Sequence, residues 1–221
     1  MEIKRHKVFV SYHHADQKYK DDIVEWFHFN YEKNKLEYIF DDYSVGDGDI
    51  DDEKLSAEQI RRIIRDEYIK EATVLILLCG KNTKYRKHID WEIHAAMYHS
   101  DVNPKMGIVV INLPTINQAR RASNDSEKSL ISDNNNWVKF TTIEEYRDNY
   151  PYMPERIIEN LAADKEISVV DWDRVKNNPK FLMQLIDNAF YRRINISYID
   201  SLPLRKHNSW GEIIYEISRI I

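Results

Sequence analysis

Cysteine is almost absent from the sequence. One cysteine, Cys79, occurs among the 221 residues, so the chain cannot form an internal disulfide. This usage is typical of proteins in a reducing cytosol, and we therefore expect a cytoplasmic protein. Cys79 lies in an apolar run, where a thiol more often packs as a small hydrophobic group than reacts.

The sequence also lacks long hydrophobic runs and an excess of positive charge. Its longest apolar run, residues 73–79, is far too short to span a bilayer. Residues 1–12 do not have the pattern of a signal peptide. The formal net charge of −5 does not suit a general nucleic-acid binder, which needs a basic surface. We therefore expect neither a membrane nor a nucleic acid as a partner.

What the chain does contain is an ordinary globular composition in which strand-like and helix-like segments alternate. Hydrophobic residues make up 43% and charged residues 31% of it, which suits a soluble domain with a full core. Apolar runs predict strands at residues 7–12, 36–40, 73–79, 107–113 and 167–171. Apolar residues at helical spacing predict helices at residues 16–31, 54–71, 88–97 and 181–190. The alternation predicts an α/β fold with a parallel sheet and right-handed crossovers.

A polar segment interrupts this alternation after the fourth predicted strand. Residues 114–136 are polar and aperiodic, and order is not regained until about residue 166. We interpret the chain as a single domain, residues 1–221, with an insertion at about 114–166 and a C-terminal helical tail at about 195–221. Residues 114–136 are predicted to be mobile or to be ordered only by a partner, because they are long and lack periodicity.

The stretch HIDWEIHAAM, residues 88–97, contains an unexpected carboxylate. In a helix, Ile89, Ile93, Ala96 and Met97 form one apolar stripe, and Glu92 falls on the same stripe and is predicted to face inward. A buried carboxylate is costly unless a partner compensates for it. Glu92 either pairs with a basic neighbour, turns out to solvent, or serves a ligand.

Three segments converge where a ligand would bind. In an open parallel sheet, ligands lie outside the carboxyl ends of the strands, and residues 11–16, 41–52 and 80–92 follow the first three predicted strands. The chain has no G-x-G-x-x-G, Walker A or G-x-S-x-G motif. Ser11, His13 and Asp16 do not suit a catalytic triad, because alternate strand residues face opposite sides. A calcium loop starting at Asp47 would have Asp52 where the turn needs glycine.

The same three segments resemble TIR domains, specifically the TIR-like proteins of the bacterial Thoeris anti-phage system. The similar stretches are VFVSYHHAD (8–16), FDDYSVGDG (40–48) and IDWEI (89–93). The family has an aromatic residue shortly before the last of these, whereas this chain has Arg86, Lys87 and His88. The resemblance covers residues 7–113 well and 167–190 loosely. It implies a flavodoxin-like, three-layer TIR-type domain with a central parallel sheet of five strands and a long insertion after the fourth.

The resemblance also implies an activity. Such proteins cleave NAD+, which is a substrate, so no cofactor or metal is expected. They release nicotinamide and an ADP-ribose-derived signal, cyclic or otherwise modified, that activates a separate effector. The resemblance further implies that the protein self-associates on activation and that a phage-derived trigger activates it. By position, Glu92 would be catalytic, and the substrate-binding residues would be Ser11, Tyr12, His13, Asp16, Asp41, Asp42 and Trp91.

Two other functions remain compatible with the sequence. Many TIR domains are non-catalytic modules that signal by self-assembly, and an adaptor of this kind would leave NAD+ intact. A nucleoside deoxyribosyltransferase-like enzyme has a similar sheet and an active-site glutamate, but its substrate would be a free nucleoside.

Overall fold

Five parallel strands form the single sheet of the part of the chain that the structure describes. The structure is a computed structural model, and it describes residues 6–34, 40–42, 55–56, 59, 62–99, 103–128 and 139–208. The strands are β1 (His6–Ser11), β2 (Phe40–Asp42), β3 (Val74–Cys79), β4 (Gly107–Asn112) and β5 (Ser168–Asp171). Their order is β2-β1-β3-β4-β5 and all neighbours are parallel. This flavodoxin-like order confirms the predicted sheet.

Helical segments connect the strands and follow the last of them. They are α1 (Gln17–Asn34), the π-helical turn α2 (Ile64–Tyr68), α3 (Lys87–Met97), α4 (Asp125–Lys128), α5 (Ile143–Asn149), α6 (Glu155–Ala162), α7 (Trp172–Lys176) and α8 (Pro179–Arg192). Local sequence explains several starts. Thr142 and Glu145 form a capping box before α5, and the Asn178 side chain caps α8, whose first residue is Pro179.

The strands at the centre of the sheet are buried on both faces. Alternate residues of β3 contribute to two core layers, because successive side chains of a strand point to opposite sides. Leu75 and Leu77 pack in the layer that contains α3, and Ile76 and Leu78 pack in the layer that contains α8. The sheet is therefore the middle of three layers. This arrangement explains the uninterrupted apolar runs of β3 and β4.

The insertion is partly built into the fold. Arg121 forms an antiparallel bridge with Val169 of β5, with N–O distances of 2.9 and 2.8 Å. The fully buried carboxylate of Glu127 accepts from Arg192 of α8 at 3.0 Å. Arg121 and Glu127 thus connect residues 114–128 to β5 and α8. The mobility of the segment stays a prediction, which amide exchange tests. Residues 129–138 of the predicted mobile segment lie outside the described residues.

The chain after α8 does not form the helix that we expected from about residue 195. Residues 196–208 are irregular and run back over α3 and α6. The predicted helix near the C-terminus, residues 209–221, lies outside the described residues, as do residues 35–39, 43–54 and most of 57–61. No described helix has the length and apolar character that a membrane crossing requires.

Candidate functional site

The site predicted from the sequence is centred on a hydrogen bond between β1 and α3. Ser11 ends β1, and its Oγ donates to Oε2 of Glu92 across 2.6 Å. The chain leaves β1 and β3 toward opposite faces of the sheet: Ile23 of α1 belongs to one core layer and Ile93 of α3 to the other. This divergence makes the carboxyl ends of β1 and β3 the topological switch point, where ligands of such sheets bind.

The α3 helix places Glu92 at the margin of its apolar face. Ile89, Ile93, Ala96 and Met97 are all buried, at most 4% exposed, as the periodicity predicts. Glu92 is only half-buried, so it does not point straight into the core as expected. The carboxylate instead reaches the edge of the sheet, where the Ser11 hydroxyl compensates part of the cost of its burial.

The loop between β1 and α1 contains a second carboxylate, Asp16, which packs against the residue that follows β3. Asp16 is 7% exposed, and a Cβ added to Gly80 would lie 2.5 Å from its Oδ2. Only glycine at position 80 allows this approach. Burial raises the pKa of the Asp16 carboxyl above its usual range, and the nearby His14 partly offsets this effect. Asp16 was among the predicted site residues and Gly80 was not, although the position of Gly80 directly after the buried strand β3 was a signal in the sequence.

The residues between Ser11 and Asp16 shape the same loop. His13 is buried, and its Nδ1 accepts from the Ala15 amide at 3.1 Å. Its ring lies 4.1 Å from that of His14. Tyr12 is half-buried, and its hydroxyl donates to Gln17 Oε1 at 2.7 Å. In this structure, therefore, both predicted site residues have contacts that stabilise the turn into α1.

The two aspartates of β2 lie lower along the sheet than Ser11. Asp41 pairs in register with Lys7, and Asp42 with Val8, three residues before Ser11. At about 3.3 Å per residue, this places Asp42 roughly 10 Å and Asp41 roughly 13 Å from the carboxyl end of β1. Asp42 also forms an ion pair with Lys20 of α1 at 2.9 Å. The described structure thus brings Ser11 and Glu92 together but not Asp41 and Asp42 with them.

Trp91, the remaining predicted site residue, faces the C-terminal segment. It is buried, and its Nε1 donates to the Arg205 carbonyl at 2.8 Å. Asp90 accepts from the Arg205 amide at 3.0 Å and pairs with the buried Arg156. The residues that flank Glu92 in IDWEI therefore anchor α3. This anchoring is not visible in the sequence, because Arg156 and Arg205 lie more than 60 positions from Asp90 in the chain.

Further polar groups lie along the same edge of the sheet, outside the predicted site. A cleft of about 510 Å³ opens beyond β4 and β5, where Arg120 and Asp171 of its lining pair at 3.2 Å. Burial raises the pKa of the Cys79 thiol to about 12, so the thiol stays protonated and packs as expected. Among the described residues, no group of three or more His, Cys, Asp or Glu side chains could hold a metal ion.

Comparison with known proteins assigns the family. The model of the family "Thoeris protein ThsB, TIR-like domain" matches residues 9–118. This part of the chain belongs to the ThsB TIR-like family. The match contains Ser11, Asp16 and Glu92, and it ends within the insertion. The fold is accordingly the TIR-type α/β fold, as the sequence resemblance implied.

The likeness of this TIR-like domain protein to a solved structure is distant. A solved structure that it resembles is a chain titled "Structure of the activated Roq1 resistosome directly recognizing the pathogen effector XopQ (TIR domains)". That chain is 14% identical, the match covers 84% of this chain and 99% of that one, and the TM-score is 0.38. The curated proteins gave no match.

Proposed function

We propose that this protein is an NAD+-cleaving TIR enzyme of anti-phage defence, with Glu92 as its catalytic residue. It breaks the bond between nicotinamide and ribose and releases an ADP-ribose-derived, cyclic or otherwise modified nucleotide that signals to a separate effector. The observation that carries the proposal is the half-buried Glu92 carboxylate at the switch point between β1 and β3. Membership of the TIR family, which includes NAD+-cleaving enzymes, supports it.

One carboxylate is sufficient for this chemistry. Most glycoside hydrolases need a second carboxyl group to protonate a poor leaving group. In NAD+ the C1′–N bond breaks with its electron pair going to the pyridinium nitrogen, so nicotinamide departs as a neutral molecule. Positive charge then develops at the ribose, and the Glu92 carboxylate stabilises it more effectively than bulk water does.

The fate of the ribosyl cation determines the product. When water attacks C1′ and loses a proton, the products are nicotinamide, ADP-ribose and a proton. When an adenine or ribose atom of the same molecule attacks and loses its proton, the product is cyclic. Asp16, His13 and Tyr12 border the site in this proposal, and Trp91 contributes by anchoring α3 rather than by stacking on a ring.

Incubation of the purified protein with NAD+ tests the proposal. Nicotinamide release is measured at high protein concentration, with and without extract from phage-infected cells. We expect nicotinamide and one ADP-ribose-derived product in at least one of the two conditions. NAD+ that stays intact in both conditions would contradict the proposal.

Two further measurements, of assembly size and of base exchange, separate the alternatives from each other. TIR domains commonly self-associate, so a non-catalytic module would assemble in a sizing experiment while leaving NAD+ intact. A deoxyribosyltransferase-like enzyme would exchange the base of a free deoxynucleoside and leave NAD+ unchanged.

A further inference from the structure

The bond between Ser11 and Glu92 has the geometry of a charge-assisted contact. The distance from Ser11 Oγ to Glu92 Oε2 is 2.6 Å, within the range for a hydroxyl that donates to an ionised carboxylate. The two residues are 81 positions apart in the chain, so only the fold brings them together. Ser11 belongs to a strand and Glu92 to the helix that borders the site.

Ser11 is fixed much more firmly than Glu92. Its strand pairs with β3 in register, Ser11 opposite Leu77, and the residue is only 1% exposed. Glu92 has a long side chain with three rotatable bonds and is half-buried on α3. The buried hydroxyl can therefore restrict the position of the more mobile Glu92 carboxylate, as preorganised sites require.

The chemistry of the hydroxyl argues against a direct role in holding substrate. A serine hydroxyl has one proton to donate, and in this structure that proton goes to Glu92. At 1% exposure, little of Ser11 is accessible to a ligand. Any effect of Ser11 on a ligand is thus transmitted through the carboxylate that it holds.

We propose that Ser11 is a positioning residue, which fixes the Glu92 carboxylate at the switch point and does not itself bind substrate. The kinetic part of this inference rests on the proposed NAD+ cleavage, whereas its structural part does not. It revises the sequence prediction, in which Ser11 was a substrate-binding residue.

The chain offers a matched control. Ser123 Oγ donates to Glu127 Oε2 over the same 2.6 Å, in a buried setting within the insertion. Ser11→Ala and Ser123→Ala therefore each remove one hydroxyl from one carboxylate. Ser11→Ala changes the proposed site, whereas Ser123→Ala changes the contact of the insertion with α8. A general loss of stability would appear in both variants, but mispositioning of Glu92 would appear only in Ser11→Ala.

Kinetics and crystallography together test the inference. In crystals of Ser11→Ala, we expect the Glu92 carboxylate to leave its wild-type position or to occupy several. In an active preparation, Ser11→Ala lowers kcat by roughly 10- to 100-fold with little change in KM, the range for a lost hydrogen bond to a charged group. Ser123→Ala keeps the wild-type kcat per folded molecule.

Two outcomes would contradict the positioning role of Ser11, and a third would contradict the proposed function. A Glu92 carboxylate in the same single position in wild type and Ser11→Ala would overturn the positioning role. A raised KM with unchanged kcat would also overturn it and return Ser11 to direct substrate binding. A wild-type protein that cleaves no NAD+ would overturn the proposed function instead, and the crystal comparison would still decide what Ser11 does.

Discussion

At the residue scale, Asp16 is the carboxylate whose environment is most informative. Burial raises its pKa above the ordinary value of 3.8, so the folded protein holds a proton there that the unfolded chain has released. Stability is therefore lost as the pH rises from about 4 through the raised pKa, and the loss is complete above it. A group that destabilises its own fold in this way is a candidate for function.

Replacing Asp16 tests this directly. Asp16→Asn keeps the size of the side chain but removes the ionisation, so we predict a higher melting temperature than wild type at pH 7. The gain should shrink as the pH falls through the raised pKa of the folded wild type, because the Asp16 carboxyl then takes up a proton. Thermal unfolding of both proteins across this pH range measures it, and a variant that melts earlier than wild type at pH 7 would refute the prediction.

Single residues also show what sequence reasoning could and could not provide. Glu92 was identified because the helical period of HIDWEIHAAM placed it on an apolar stripe. Its partner Ser11 is 81 positions away, and no periodicity relates a strand residue to a helix residue at that separation. The contact of Asp16 with Gly80 escaped prediction for the same reason. The ion pair between Asp42 and Lys20 was not predicted either, because β2 and α1 are separate segments of the sequence.

At the element scale, the C-terminal segment and α6 hold the helix that carries Glu92. Arg156 of α6 is fully buried and contacts Asp90 of α3 at 3.2 Å and Asp200 of the segment at 2.6 Å. His94 of α3 also contacts Asp200, at 2.6 Å. One guanidinium thus connects three parts of the chain, and its removal would take the buried cation away from both carboxylates.

We predict a large loss of stability when this guanidinium is removed. Arg156→Met should cost about 3–5 kcal/mol of unfolding free energy, the range for a broken buried ion pair. Arg147→Met is the matched control, because Arg147 pairs with Glu155 on a partly exposed surface and should cost at most about 1 kcal/mol. Urea unfolding monitored by circular dichroism measures both, and equal losses in the two variants would contradict the central role of Arg156.

The elements with a strong period were predicted and those without one were not. The strands β1, β3, β4 and β5 and the helices α1, α3 and α8 lie where apolar runs and helical spacing indicated. The helices of the insertion were missed, because α5 and α6 are only seven and eight residues long and show too few turns for a helical period to stand out. Of the predicted helical tail, residues 196–208 are irregular and bond to α3 and α6, and residues 209–221, which carry the predicted amphipathic helix, lie outside the described residues.

At the scale of the whole molecule, the open side of the site predicts dependence on self-association. Glu92 is half-buried in the single chain, so water has access to the carboxylate. A second copy that covers the site would exclude water and strengthen the electrostatic stabilisation of a developing charge. We predict that NAD+ turnover per molecule rises steeply with protein concentration or with an infection-derived trigger. Turnover per molecule that stays high and constant on dilution would contradict this.

The most direct test of the account compares two glutamates that each accept a serine hydroxyl. Glu92→Gln removes the charge at the proposed site, whereas Glu127→Gln removes the charge that pairs with Arg192 inside the fold. NAD+ cleavage and melting temperature are measured together on wild type and both variants under activating conditions. Both substitutions preserve side-chain volume, so charge is the main difference from wild type in each.

The two variants should show opposite effects. Glu92→Gln should lose roughly 10²–10³ in cleavage rate with little change in melting temperature. Glu127→Gln should lose several kcal/mol of stability, about 3–5, because Arg192 loses its fully buried charged partner. It should keep the wild-type rate per folded molecule. A Glu92→Gln protein that melts much earlier than wild type but cleaves NAD+ at nearly the wild-type rate would contradict the catalytic assignment and, with it, the proposed function.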